Sequence, residues 1–442
     1  MFIELHAIQN FAPSNLNRDD TGSPKDCLFG GYRRARVSSQ CSKRSMREMF
    51  KEGESFTKEQ KEFLAIRTRW IAEEIAQAAG QLAKDVGDES KSSEQLLRAT
   101  KIILNAAELE VKEDNKTEFI FFIGKKELEA IARLCLDRWK ALIETDAAYE
   151  EVRRLEGEIS ALEEAAKTGS KESKQQARAK SKELKEKRDE AKKAARKAIP
   201  DDIKEQVKEK LDGGKAADLA LFGRMIANLP EKNVDAACQV AHSISTHKSG
   251  VEFDFFSAVE ELPRNSDKGA GHIDTSQFNS ACFYRYANLD LDQLHTNLQD
   301  PELEQATTEA FIRAFIEAVP TGKQHSTAPQ QKPAFVLAVV REAGLWSLAN
   351  AFANPVPTNR GDLVEESIVR LDKHWGELAA MYGTKGIKGQ WFAALGVDRL
   401  DKLGERVKPD EGQTMIDALV AKVQEAVNGS NSIPAQSQGG VE

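Results

Sequence analysis

Seven lysines or arginines stand between Lys25 and Arg47, against one acid, Asp26, in a 442-residue chain whose formal charge is −8. Lys43 and Arg47 are one helical turn apart, with Arg44 flanking them. Arg34 and Arg36 alternate in the extended stretch "YRRARV" at 32–37, which places both on one side of a strand. Ser38 or Ser39 can N-cap a helix running to about Phe50, with Gln40 beside the cap. The free N–H groups and positive end of that helix add to the side-chain cations. Gly30 and Gly31 let a backbone come close to something bulky. Phosphate oxygens suit all three features, and the pattern suits a single-stranded nucleic-acid backbone held in a groove. The plain alternative, for a basic cluster taken alone, is a solvated surface helix.

A second feature lies at 250–275, "GVEFDFFSAVEELPRNSDKGAGHIDT", where Phe253, Phe255, Phe256 and Val259 precede a Gly-rich turn and Ile273. Two readings stand side by side: a loop packed on the core, or a projecting hairpin that inserts apolar residues into a partner. Enzyme chemistry is poorly supported. No GxxxxGK[ST], strand-linked GxGxxG, GxSxG or HExxH motif occurs. His242 and His247 are five apart, which does not align them on one helical face for a metal. The Asp19–Asp20 pair offers two carboxylates to a divalent ion, but reads first as a capping or turn device. Cys27, Cys41, Cys135, Cys238 and Cys282 are odd in number and form no CxxC pair, so reduced, cytoplasmic thiols are expected, with neither metal nor cofactor. The longest apolar runs, such as "FVLAVV" at 335–340, are too short to span a bilayer, and no membrane partner is expected. The N-terminus has no secretory signal pattern.

The elements that must position these residues are partly legible. "FIELHAIQ" at 2–9 alternates as a strand with mixed faces. From about 55 to 215 the texture is helical, with "FIFFIG" at 119–124 as a short strand or the turn before a helix. Residues 151–198 are nearly all Ala, Glu, Lys and Arg, and Ala177, Leu184, Ala191 and Ala198 recur at sevens. This pattern predicts two antiparallel helices joined at 168–170 and stopped by Pro200. "LALFGRM" at 219–225 and "ACFYRYANLDL" at 281–291 read as strands, 303–319 and 364–382 as amphipathic helices, and "AFVLAVVR" at 334–341 as a buried strand. The polar tail from Asn428 reads as disordered. The sum is an α+β chain: a βα…βαβ core, split by a long helical insertion, which suggests a ferredoxin-like sheet with one face free for a ligand.

"NLNRDD", "KDCLFGGYRRARVSSQCSKRSMR", "DLALFGRM", "VAHSISTH" and "FNSACFYRYANLDLDQL" occur in that order. Together they resemble the repeated backbone subunit of the type I-E CRISPR Cascade complex, the CasC-like family. The resemblance covers roughly 1–50 and 216–350; the arm at 150–198 looks longer than the family usually carries. It implies a hand-shaped protein. A modified RRM-like palm would be formed by 1–54 and 216–427, helical fingers by 55–215, and a hairpin thumb by about 248–278, with a tail at 428–442. It further implies a non-catalytic subunit that polymerises along CRISPR RNA, beside copies of itself and other Cascade subunits. Each thumb displaces one guide nucleotide, and target DNA pairs with the guide. Carried onto this chain, Arg18, Lys25, Ser38, Gln40, Lys43 and Arg47 would line the guide backbone, joined by Arg34, Arg36 and Arg44 of the same cluster. Met225 would sit under a displaced base, and Phe256, Val259 and Ile273 would form the thumb wedge. Tyr32 stands where a basic residue is expected after the double glycine. The rival readings are a type III-like backbone subunit cleaving target RNA with a thumb aspartate, Asp254 or Asp274, and a structural module without nucleic acid.

Overall fold

The computed structural model describes every residue except 113, 169–170, 260–269, 360, 398–399 and 432–442. The chain divides into two compact units, one formed by 1–61 with 236–442 and the other by 62–235.

The first unit is built on a mixed sheet, ten-stranded among the described residues. Strand Phe2–Ser14 lies between Phe335–Arg341 and the long strand Ala270–Asp290, antiparallel to both. On its far side Ala270–Asp290 pairs with the short strands Cys238–Val240 and Ser243–Ser245, again antiparallel. The edges are extended by Ile387–Ala394 with Glu405–Arg406, and by Tyr32–Val37 with Asp26–Phe29. Helices cover both faces. Ile368, Leu371 and Trp375 of helix Leu363–Tyr382 pack on Ile8, Tyr284 and Leu337. Arg285, one residue from Tyr284 and so on the opposite face, donates to the carbonyl of Phe315 in helix Pro301–Glu317.

The double cover explains why residues 3–9 of the first strand are buried on both faces. Glu4 pairs with Arg341 at 3.1 Å and accepts from the Tyr286 hydroxyl at 3.0 Å. His6 shares a 2.9 Å hydrogen bond with the Tyr284 hydroxyl, and burial pushes its pKa down to about 3. Each of these polar groups has at least one partner inside, while His6 Nε2 has none among the described residues.

In the second unit, helices Ile71–Asp85, Ser93–Ala106, Lys125–Asp137 and Asp201–Lys210 share one core, with Ile75, Ile103, Ile131 and Val207 fully buried. "FIFFIG" supplies both alternatives: Phe121–Gly124 is a strand, paired with Ala65–Thr68, and Gly124 begins the next helix. Helices Glu150–Thr168 and Lys171–Lys197 run antiparallel, as ion pairs Lys185–Glu163 and Lys192–Glu156 require. Leu155, Ile159 and Leu184 are buried along their seam, and Ala191 packs against them.

Two expectations fail. Residues 219–222 belong to a helix, Ala217–Phe222, not a strand. The run is Leu- and Ala-rich without β-branched residues, so its apolar character marks burial and not strand geometry. The last helix, Met415–Asn431, takes in residues 428–431 that composition assigns to the polar tail; the rest of that tail lies outside the described residues.

Candidate nucleic-acid interface

Helix Ser39–Glu52 follows strand Tyr32–Val37 with Ser38 alone between them as its N-cap. The Ser38 hydroxyl accepts from the Cys41 N–H at 3.3 Å, a cap worth about 1 kcal/mol. The Ser38 N–H is itself held by the Asn17 side-chain carbonyl at 2.9 Å, which ties loop 15–25 to the start of the helix. That loop is shaped by Asp19, whose carboxylate accepts from the N–H groups of Thr21 and Ser23, both at 2.9 Å. The Thr21 hydroxyl bond, first among several, holds the Asp19 carboxyl below its ordinary range. Asp19 of the acid pair is thus a turn device, as expected, and Asn17 is a structural residue that sequence reasoning missed.

The inner face of the helix is Met46 and Phe50. Arg44 and Gln40 are exposed and Lys43 is half-buried. Arg47 is only 7% exposed. It lies one residue from Met46 and three from Phe50, inside the buried arc, so helical spacing from Lys43 does not make it an open cation. Arg18 is exposed, and lines with Asn17, Cys41, Arg44, Glu48 and Gly322 a hollow of about 560 Å³ against the helix.

Arg34 and Arg36 share a strand but not a role. Arg36 is half-buried; its Nε donates to the Asp26 carbonyl at 3.2 Å and its guanidinium lies 3.2 Å from His242 Nδ1. The Arg36 N–H donates to the carbonyl of Lys25, so these two cations are neighbours. Arg34 is fully buried. It donates to the carbonyls of Ser245, Phe352 and Ala353 at 3.1, 2.7 and 3.2 Å, and burial lowers its pKa. The expectation that both arginines face a ligand is corrected for Arg34. Segment 352–353 closes over it, and three carbonyls take donors from its two terminal nitrogens.

Gly30 is explained by the same closure. A Cβ there would overlap the Ala353 carbonyl oxygen, at φ +60°. The group that comes close to Gly30 is therefore the chain's own backbone. Tyr32, 43% exposed, stands over the Arg34 guanidinium, 6.0 Å from ring centroid to carbon.

Met225, in the second unit, is 84% exposed. Its neighbours fix it there. Arg224 is buried and meets both Glu127 carboxylate oxygens at 2.8 Å, and it bridges to Val234 through backbone hydrogen bonds. Ile226 is buried, with its N–H held at 2.6 Å by Asn233.

Strand Glu252–Val259 pairs with the first part of Ala270–Asp290 as a two-stranded ribbon. Phe253 and Phe255 are 69% and 67% exposed, and Phe256, on the other face, 44%. The register sets Phe256 opposite Asp274 and Ser257 opposite Ile273, so Phe256 and Ile273 are not cross-strand partners. Val259 pairs with Ala270; the side chains of Val259 and Ile273 lie outside the described ones.

Among the described residues, no group of three or more His, Cys, Asp or Glu could hold a metal ion, and no helix is long and apolar enough to cross a membrane.

A family model described as CT1975-like protein matches residues 3–422. A chain from a solved CRISPR RNA-guided surveillance complex, pre-nicking, is 29% identical. That match covers 96% of this chain and 100% of the other, with a TM-score of 0.71. A second solved CRISPR RNA-guided surveillance complex contains a chain 24% identical over 96% of this chain and 100% of that one, with a TM-score of 0.64, a likeness of fold. No curated protein matches.

Proposed function

The chain belongs to the CT1975-like protein family, and on that premise we propose that it is an RNA-binding backbone subunit of a Cascade-type CRISPR surveillance complex. The observation that carries this is the end-to-end match, 96% of this chain on 100% of a chain from such a complex at 29% identity. In the type I-E-like form of the proposal, the subunit is non-catalytic. Copies line up along CRISPR RNA, meet the other complex subunits, and present the guide to target DNA.

The first unit acts as an RRM-like palm. In support, strands Phe335–Arg341, Phe2–Ser14, Ala270–Asp290 and the Cys238–Val240/Ser243–Ser245 pair lie side by side, the ferredoxin-like order. The second unit acts as fingers and the Phe253–Phe256 ribbon as a thumb. Guide phosphates run past Arg18, Lys25, Arg36, Gln40, Lys43 and Arg44. Ser38 serves them through the helix start, and Met225 supports a displaced base. Arg34 holds the strand from behind. Arg47, buried, is not counted among these contacts. Specificity for sequence comes from pairing with the guide, since phosphate contacts carry none.

The test is the salt dependence of binding to a single-stranded RNA of mixed sequence. Lys43→Ala and Arg44→Ala should each flatten the log–log slope by about 0.7, the effect of one fewer neutralised phosphate. An unchanged slope in both variants would remove the groove from the proposal.

A further inference from the structure

His242 is exposed and stands at the start of helix Ser39–Glu52. Its Nδ1 lies 3.2 Å from the Ser39 N–H and 3.2 Å from the Arg36 guanidinium. Both are donors, so Nδ1 accepts, and a neutral ring must carry its proton on Nε2. Partial burial, then the charges of Arg36 and Lys25, hold its pKa below the ordinary value, which keeps the ring neutral. Nε2–H has no protein partner among the described residues. Asp26, next to Lys25 in sequence, is engaged with Arg33. The corner therefore presents donors from three segments: the Lys25 ammonium from the loop before strand Asp26–Phe29, the rest of the Arg36 guanidinium from strand Tyr32–Val37, and the ring N–H from the link between Cys238–Val240 and Ser243–Ser245.

We propose that His242 is a phosphate-binding residue of the RNA groove, donating its Nε2–H to a backbone phosphate oxygen while Nδ1, locked by Ser39 and Arg36, fixes the ring. This rests on the groove reading above and adds a residue to it. A ring serving only to receive the Ser39 N–H would need Nδ1 alone, and this separates the two roles.

The test uses the full chain, a fluorescently labelled single-stranded RNA and a DNA of the same sequence, titrated at several salt concentrations. His242→Asn keeps an acceptor near the Nδ1 position and loses the ring donor. His242→Gln places an amide near Nε2. His242→Asn should bind RNA and DNA about tenfold to a hundredfold more weakly, as for one lost hydrogen bond to a charged group. Its salt slope should match the parent's, because a neutral donor releases no counterion. His242→Gln should recover most of the loss. A loss confined to RNA would reassign the donor to a 2′-hydroxyl and overturn the phosphate assignment. A flatter slope in His242→Asn would make the ring only a support for Arg36 and overturn it too. Parent-like binding by His242→Asn, alongside weakened Lys43→Ala, would overturn the His242 proposal and leave the groove standing. A parent chain that binds neither strand would overturn both.

Discussion

Glu127→Ala should unfold the mounting of Met225 without touching Met225 itself. The Glu127 side chain is fully buried and its partner Arg224 is 2% exposed. Both carboxylate oxygens meet the guanidinium at 2.8 Å, and each also accepts a backbone N–H, from Gly213 and Gly124, at 3.1 Å. Truncation leaves a buried cation without a counter-charge and two N–H groups without acceptors. Removing one member of a buried pair costs about 3–5 kcal/mol, and each stranded N–H adds on the order of 1 kcal/mol where water cannot reach it. The carbonyls of Phe122 and Leu211 keep Arg224 partly solvated, which holds the expected loss near the lower end of that sum. The assay is urea unfolding followed by hydrogen exchange, which localises the loss to amides of 62–235. Glu127→Leu with Arg224→Met removes both charges and should recover most of the stability. A loss below about 1 kcal/mol in Glu127→Ala, the range of an exposed pair, would refute the reasoning. So would a double variant no more stable than the single one.

Gly30→Ala should destabilise the first unit far more than Gly31→Ala. A Cβ at Gly30 overlaps the Ala353 carbonyl, whereas one at Gly31, φ +81°, meets nothing within 4 Å. The second change then carries only the left-handed backbone cost of about 1–2 kcal/mol; equal melting temperatures would contradict this. His6 should make the same unit acid-sensitive. Its folded pKa, about 3, lies below the ordinary value of 6.5, so the unfolded chain takes up a proton that the folded chain refuses. The stability from keeping His6 neutral is complete above the unfolded pKa. It is lost on acidification towards the folded one, at about 1.4 kcal/mol per pH unit. His6→Asn should remove that part of the slope in denaturant titrations; parallel slopes would exclude it. For the thumb, Phe256→Ala with Ile273→Ala should leave the melting temperature near normal and abolish periodic chemical reactivity along assembled guide RNA. A large stability loss would make those residues core, and persistent periodicity would move the wedge to other side chains, Phe253 and Phe255 first.

The helix carrying Lys43 is legible in the sequence because its signals are local: Ser38 at the cap, then Met46 and Phe50 at helical spacing. The sevens of the charged arm are legible in part for the same reason, with Leu184 buried where the repeat places it and Ala198 exposed past the end of the helix. Arg34 is not. Alternation puts it on the side of Arg36, and only the closure by residues 352–353, over 300 positions away, decides which of the two is buried. Arg47 fails similarly, since spacing from Lys43 says nothing of what covers the helix edge. The exposure of Met225 follows from Glu127 finding Arg224, a pairing that no local pattern announces. His242 carries a visible signal, a histidine in "VAHSISTH", but spacing alone tests it only as a metal ligand. Its use depends on the Ser39 N–H beside it.

The most direct measurement is to purify the full chain under native conditions from cells that express CRISPR RNA, and to sequence whatever nucleic acid accompanies it. A guide-binding backbone subunit should carry a 260 nm excess over 280 nm absorbance and yield RNA in which repeat and spacer sequences dominate. Protein free of nucleic acid, or carrying RNA that mirrors the bulk transcript pool, would contradict the proposed function.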